Sequence, residues 1–137
     1  MKQPLLLDTC AALWIVAEEI SQVTADALAE ARSAGLPTYV SPITAWEVGM
    51  LARKGRFRSR YAPQRWFEQL MQAPETVLAE LSPRVLLESS FLPGNLYRDP
   101  ADRIIAATAR EFGFTVMTRD RALLDYAREG YLSAIEC

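Results

Sequence analysis

The chain of 137 residues contains no histidine. This absence excludes a Ser-His or Cys-His nucleophilic pair, a histidine acid–base pair, and a zinc or iron centre with histidine ligands. The two cysteines, Cys10 and Cys137, are too few for a closed zinc site and do not indicate a disulfide framework. A bound metal would therefore be held mostly by carboxylate and other oxygens, the ligands that suit Mg²⁺ or Mn²⁺.

Long apolar runs are also missing. No stretch approaches the roughly 20 apolar residues of a membrane helix. The N-terminal apolar run is short and meets Asp8 at once, which does not fit a signal peptide. We therefore expect a cytoplasmic protein with no membrane segment. The length fits a single domain spanning residues 1–137.

Acidic residues are absent between Glu47 and Glu68. Residues 53–65, called the basic segment below, carry a charge of +6, whereas the other nine basic and 17 acidic residues give the remainder −8. This asymmetry favours a polyanionic or acidic partner. Aromatic residues are interleaved with the charges: Phe57, Tyr61, Trp66 and Phe67. They suit stacking on single-stranded nucleic acid, docking of a protein partner, or a solvated loop whose aromatics pack into the core.

Short β-rich or apolar runs alternate with helical patterns along the chain. Strands are predicted at 5–7, 38–41, 76–81, 114–118 and 131–135. Helices are predicted at 11–16, 21–34, 43–54, 64–71, 83–91, 100–112 and 121–128. This alternation predicts an α/β fold with a mostly parallel sheet covered on both faces.

Four acidic residues lie where such a sheet would bring them together. Asp8 and Asp120 each follow a predicted strand, and Glu47 lies less than two turns into the helix after Ser41. Asp102 lies in the first turn of the helix that precedes the Asp120 strand. Ligands bind outside the carboxyl ends of parallel strands, and four carboxylates gathered there would repel one another. A divalent cation is the simplest explanation.

Structural explanations compete with this interpretation. In Asp99-Pro100-Ala101-Asp102, Asp99 is suited to cap a helix, and Asp102 then meets the positive end of the helix dipole. Glu47 shares the helical spacing of Ile43, Met50, Leu51 and Lys54, so it lies either on an apolar face or at its edge in water.

Four stretches together resemble one known family. They are Leu-Leu-Leu-Asp-Thr at 5–9, Ala-Trp-Glu-Val at 45–48, Asp-Pro-Ala-Asp-Arg-Ile-Ile-Ala-Ala-Thr-Ala at 99–109, and Val-Met-Thr-Arg-Asp-Arg-Ala-Leu-Leu at 116–124. They are similar to PIN domains, specifically to VapC-type toxins of toxin–antitoxin pairs. Relatives often carry a lysine near Met50 and a histidine where this chain has Leu96-Tyr97-Arg98. These departures concern substrate preference more than catalysis.

The resemblance implies a three-layer α/β/α sandwich with a five-stranded sheet and an endoribonuclease that depends on Mg²⁺ or Mn²⁺. Asp8, Glu47, Asp102 and Asp120 would be the catalytic and metal-binding residues, with Thr118 and Asp99 as polar neighbours and Thr9 orienting Asp8. Hydrolysis by water would leave 5′-phosphate ends. The implied partners are an RNA substrate, a cognate VapB-like antitoxin and a second copy in a homodimer. A catalytically silent PIN module that binds RNA or protein is the alternative.

The sequence also gives expectations for a rival enzyme class and for several single residues. A phosphatase or phospho-acceptor domain fits poorly, since Asp8 is followed by Thr9 and Cys10 rather than by a partner acid. Cys10 is expected to be a small buried filler. Trp14 and Trp46 are expected in the core or at a partner contact. Arg103 and Arg119 are expected to contact RNA phosphate or to pair with neighbouring acids.

Overall fold

The computed structural model describes residues 3–96 and 99–137. The sequence predictions that involve Met1, Lys2, Tyr97 and Arg98 lie outside the described residues. The strands are β1 (Leu5–Leu7), β2 (Thr38–Val40), β3 (Thr76–Leu78), β4 (Thr115–Thr118) and β5 (Ser133–Glu136). The helices are α1 (Thr9–Ala17), α2 (Gln22–Ser33), α3 (Ile43–Arg53), α4 (Pro63–Met71), α5 (Pro83–Ser90), α6 (Pro100–Phe112) and α7 (Arg121–Arg128).

The five strands form one parallel sheet in the order β3-β2-β1-β4-β5, which confirms the predicted fold class. Leu7 at the end of β1 pairs with Val40 of β2 on one side and with Met117 of β4 on the other. The chain builds outward from β1 to β3 and then crosses back to β4. The strand order therefore reverses between β1 and β4, and the carboxyl ends of these two strands border the crevice where such sheets bind ligands.

Both faces of the sheet are packed against helices. Leu5 and Leu7 of β1 belong to one core cluster with Trp66 and Leu70 of α4, whereas Leu6 belongs to a second cluster that includes residues of α6 and α7. Successive side chains of a strand point to opposite faces. The unbroken apolar run of β1 therefore reflects a central strand that is buried on both sides, as the three-layer prediction requires.

Several predicted boundaries and faces are wrong in detail. α1 begins at Thr9 instead of residue 11, because Asp8 caps it directly. The helical spacing predicts Val23 on the buried face of α2 with Ala31, but Val23 is 69% exposed and the buried residues are Thr24 and Ala31. Phe112, predicted to face inward from α6, is 40% exposed. β3 ends at Leu78, where the predicted strand continued to residue 81.

The aromatic residues in and beside the basic segment pack inward. Trp66 is 1% exposed, and Phe57, Tyr61 and Phe67 pack against the same core cluster. Core packing therefore accounts for Trp66 fully and for the partly buried Phe57, Tyr61 and Phe67 in part. The charged residues of the segment remain exposed. No helix within the described ranges is long and apolar enough to cross a membrane.

Candidate active site

Asp8 lies at the carboxyl end of β1 and is 4% exposed. Its backbone N–H donates to the carbonyl of Met117 at 3.1 Å, which continues the β1–β4 pairing by one residue. One carboxylate oxygen accepts the Ala11 N–H at 2.8 Å and thereby caps α1. Burial raises the pKa of the Asp8 carboxyl above its ordinary value, the hydrogen bonds from Thr118 and Ala11 oppose this rise, and the charge of Asp120 adds to it.

Thr118 connects Asp8 with Asp120. The fully buried Thr118 hydroxyl donates to the second carboxylate oxygen of Asp8 and accepts the Asp120 backbone N–H at 2.9 Å. The Asp120 carboxylate in turn caps α7 by accepting the Leu123 N–H at 3.0 Å. Two acids from adjacent strands are thus held near one hydroxyl group, and Thr118 is the polar neighbour that the sequence predicted.

Glu47 reaches the same region from the second turn of α3. The buried residues of this helix are Thr44 and Val48, so Glu47 lies at the edge of the buried face and is half-buried. The Thr9 hydroxyl donates to the Glu47 carboxylate. The prediction that Thr9 orients Asp8 is therefore wrong. Burial raises the pKa of Glu47, the Thr9 hydrogen bond opposes the rise, and the charges of Asp99 and Asp8 add to it.

Asp99 and Asp102 are separated by one helical turn. Asp99 is the N-cap of α6, as predicted, and its carboxylate accepts the Asp102 N–H at 3.1 Å. The charge of Asp99 also acts on Glu47 across the crevice. Asp102 is half-buried at the start of the helix that leads into β4. The start of α6 therefore borders the same region as α1 and α3, since the charge of Asp99 acts on Glu47 and that of Asp102 acts on Cys10.

Cys10 lies within electrostatic reach of all four predicted acids. Its thiol is exposed, which corrects the expectation of a buried filler. Partial desolvation and the charges of four carboxylates raise the pKa of Cys10 to about 11. Those carboxylates are Asp8, Glu47, Asp102 and Asp120. The four acids therefore lie close enough to one thiol to act on it together, and the thiol stays protonated at neutral pH.

The carboxylates gather without closing on a single point. Among residues 3–96 and 99–137, no group of three or more carboxylate or thiol side chains is arranged to hold a metal ion. Mg²⁺ often uses only one or two protein carboxylates and keeps several waters. Asp8 and Asp120, on adjacent strand ends, fit that pattern.

The two arginines expected to contact RNA phosphate or neighbouring acids have contacts within the fold. Arg103 donates to the carbonyl of Ser89 at 2.9 Å and to that of Leu96 at 2.6 Å, which ties α6 to the segment after α5. Arg119 donates to the Cys137 carbonyl at 2.8 Å, and its guanidinium lies 3.8 Å from the centre of the Trp14 ring. Trp14 therefore packs against a cation, and Trp46 is 54% exposed, which excludes it from the core.

Comparison with known proteins identifies the family. A family model described as PIN domain matches residues 5–129. The chain belongs to the PIN domain family. This assignment confirms the resemblance predicted from Asp8, Glu47, Asp102, Asp120 and the motifs around them.

Known proteins similar to this PIN domain cover most of its length. It is 33% identical over 120 residues to Ribonuclease VapC22 of Mycobacterium tuberculosis (strain ATCC 25618 / H37Rv), which covers 86% of this chain and 88% of the relative. The VapBC2 structure from Rickettsia felis, bound to a DNA fragment from their promoter, matches with a TM-score of 0.69 and 14% identity. That match covers 96% of this chain and 97% of the other.

A second solved structure, FitAcB from Neisseria gonorrhoeae, has a TM-score of 0.54 and 21% identity, with 96% of each chain covered. At these identities the two structures support only the fold of this PIN domain. The roles of its residues are argued from its own geometry.

One residue at this PIN domain's site was missed from the sequence. Thr44 is fully buried, and its hydroxyl oxygen lies 3.0 Å from that of Thr9. The available signal was spacing, since Thr44 precedes Glu47 by three residues and so shares its side of α3. Threonine in a helix is common enough that this spacing alone did not distinguish it.

Proposed function

We propose that this PIN domain is a metal-dependent endoribonuclease that acts as the toxin of a toxin–antitoxin pair. The observation that carries the proposal is the link through Thr118 between Asp8 and Asp120 on adjacent strand ends, with the charges of Glu47 and Asp102 acting on the same neighbouring thiol, Cys10. Asp8 and Asp120 lie at the reversal point of the sheet, where an α/β fold binds its ligands. The similarity to a ribonuclease of the VapC type supports the choice of RNA as substrate.

The donor set fits Mg²⁺ or Mn²⁺. Carboxylates and hydroxyls are hard oxygen donors, and the site offers neither imidazole nor an ionised thiol at neutral pH. Asp8 and Asp120 would be the main ligands, with Asp102 and Glu47 completing the set directly or through water. When bound, the ion supplies neutralisation of charge on the phosphate and a lower pKa for an attacking water.

The chain's own residues position these acids. Thr118 orients Asp8 and supports the turn that bears Asp120, while the first turns of α1 and α7 fix both carboxylates through capping hydrogen bonds. The start of α6 carries Asp102, whose charge reaches Cys10 beside these two acids. A phosphodiester lying between α6 and the ends of β1 and β4 would meet all of these groups.

A VapB-like antitoxin is the proposed protein partner, and the cytoplasm, where RNA is available, is the proposed location. Similarity to VapBC2 and FitAcB supports this partner. We also propose a homodimer, supported by large exposed apolar side chains on and after α5, among them Leu87 at 66% and Phe91 at 82% exposure. Sedimentation of the purified chain alone should give twice the 15.4 kDa monomer mass. A monomer mass at micromolar concentration would reject the dimer.

Cleavage of RNA in the presence and absence of metal tests the proposed activity. Chain purified free of antitoxin is incubated with structured RNA in Mg²⁺, in Mn²⁺ and in EDTA, and product ends are analysed. We expect cleavage with either cation, none in EDTA, recovery when Mg²⁺ is restored, and 5′-phosphate products. Cleavage that continues in EDTA, or products with 2′,3′-cyclic phosphate, would refute the metal mechanism. An absence of cleavage under every condition would favour the silent RNA- or protein-binding module.

A further inference from the structure

Two hydroxyl groups and one carboxylate form a chain of hydrogen bonds between the buried face of α3 and the candidate site. The Thr44 hydroxyl, fully buried, lies 3.0 Å from the hydroxyl of Thr9, which is 6% exposed. The Thr9 hydroxyl also donates to Glu47. Thr9 begins α1, whereas Thr44 and Glu47 both belong to α3. The two hydrogen bonds therefore join two residues of α3 through one residue of α1.

The chemistry of the groups fixes the direction of these hydrogen bonds. A threonine hydroxyl has one proton to donate, and an ionised carboxylate can only accept. If Thr9 gives its proton to Glu47, its contact with Thr44 must use Thr9 as acceptor and Thr44 as donor. Thr44 therefore donates to Thr9, and Thr9 donates to Glu47. Each acceptor fixes the orientation of the hydroxyl that donates to it.

Glu47 needs an anchor because its carboxylate faces like charges. Asp8 and Asp99 both act on it electrostatically, and this repulsion favours rotamers that carry the carboxylate out to water. A glutamate side chain has three rotatable bonds and so can leave readily. The hydrogen bond from Thr9 holds the Glu47 carboxylate at the crevice, and the hydrogen bond from Thr44 fixes the Thr9 hydroxyl.

We infer that Thr44 and Thr9 are positioning residues that hold the Glu47 carboxylate at the active site through a relay of two hydroxyl hydrogen bonds. The inference rests on the proposed function, since it assigns Glu47 a task there. Thr44 itself touches neither substrate nor metal. Its contribution passes entirely through Thr9, and this dependence distinguishes a relay from ordinary packing of α3 against α1.

The test replaces each hydroxyl with a methyl group of similar size. Thr9→Val and Thr44→Val break the relay, Thr9→Ser and Thr44→Ser retain it, and Thr9→Val/Thr44→Val completes a double-mutant cycle. The matched control is Thr108→Val, since Thr108 is equally buried in α6 and donates only within its own helix, to Ile104 at 2.7 Å. Mn²⁺ affinity by electron paramagnetic resonance, RNA cleavage and melting temperature are measured for each.

We expect Thr9→Val and Thr44→Val to lower Mn²⁺ affinity or kcat/KM by about tenfold, the usual minimum for losing a group that orients a ligand. The serine variants and Thr108→Val should stay near the wild-type values. Thr44→Val should add little to Thr9→Val, because the relay is already broken. Wild-type Mn²⁺ binding and cleavage in Thr44→Val, or equal losses in Thr44→Ser and Thr44→Val, would overturn the inference. Failure of the wild-type chain itself to bind Mn²⁺ and cleave RNA would instead overturn the proposed function, and the relay with it.

Discussion

At the scale of single residues, Asp8 has two roles that oppose each other. It caps α1 and accepts the Thr118 hydroxyl, and both contacts stabilise the fold. Its ionised carboxylate, however, is buried beside the charge of Asp120, so its pKa is raised and its charge is costly at neutral pH when no cation is present. Residues retained for function often carry such a cost.

Asp8→Asn should therefore abolish RNA cleavage without lowering stability. Asparagine keeps an oxygen for the Ala11 N–H and removes a buried charge, although it loses the Thr118 hydrogen bond. In EDTA we expect its melting temperature to equal or exceed that of the wild type, measured by circular dichroism. The control is Asp26→Asn, an exposed residue of α2, which should leave cleavage intact. Full activity in Asp8→Asn, or a clear fall in melting temperature, would contradict this assignment.

Arg103 has two contacts that local sequence does not predict. Beside two acids in sequence, it suggested an ion pair or a phosphate contact. In the fold its guanidinium donates to the carbonyls of Ser89 and Leu96, both of which precede α6 in the chain. A polar anchor of this kind depends on a chain segment 14 residues away in sequence, and no local pattern announces it.

At the scale of elements, the basic segment separates into an apolar interior and a charged exterior. The aromatic rings that suggested base stacking pack against the core, and the arginines stay at the surface. The remainder of the chain carries −8 and repels RNA. Attraction to a polyanion must therefore come largely from this segment.

Replacement of Arg56, Arg58 and Arg60 by glutamine should flatten the salt dependence of RNA binding. Each phosphate contact to a single strand contributes about 0.7 to the slope of log K against log salt, so the loss should approach about 2. Binding is measured in EDTA to prevent cleavage. The matched control replaces Arg32, Arg84 and Arg128, which lie in α2, α5 and α7, and should change the slope less. An unchanged slope with a weakened antitoxin complex would assign the segment to the protein partner instead.

The helix α3 illustrates why faces are harder to predict than elements. Its bounds follow from Ser41-Pro42 and Gly55, which are local signals. The spacing placed Glu47 with Ile43, Met50 and Leu51, but α3 buries Thr44 and Val48. Rotation of a helix about its axis is set by what packs against it, in this case α1, α4 and α6, and that information is distributed over the whole chain.

At the scale of the whole molecule, the sequence determined class and alternation more readily than topology. Leu5–Leu7 is a recognisable strand because buried parallel strands are almost wholly apolar, and Thr115–Thr118 is recognisable because it is rich in β-branched residues. The order β3-β2-β1-β4-β5 depends on crossovers, and neither the alternation of elements nor the family resemblance predicted it. The candidate acids could be named because each lies at a strand end or helix start. The sequence did not show which threonine hydroxyl contacts which acid, since threonine has many structural roles.

The convergence of carboxylates is also a property of the whole molecule, since it joins residues from positions 8 to 120. Local capping explains Asp8, Asp99 and Asp120 one by one. It does not explain why these helix starts meet at the reversal point of the sheet, with Glu47 drawn in from α3. The proposed cation would account for this arrangement, because it would offset the repulsion that capping alone leaves.

Titration with Mn²⁺, followed by electron paramagnetic resonance, tests this central claim most directly because it requires neither the natural RNA nor the antitoxin. Wild-type protein and Asp26→Asn should bind Mn²⁺ with the same affinity. Asp8→Asn and Asp120→Asn should bind at least about tenfold more weakly while remaining folded. Equal Mn²⁺ affinity in the wild type, Asp8→Asn and Asp120→Asn would contradict the account.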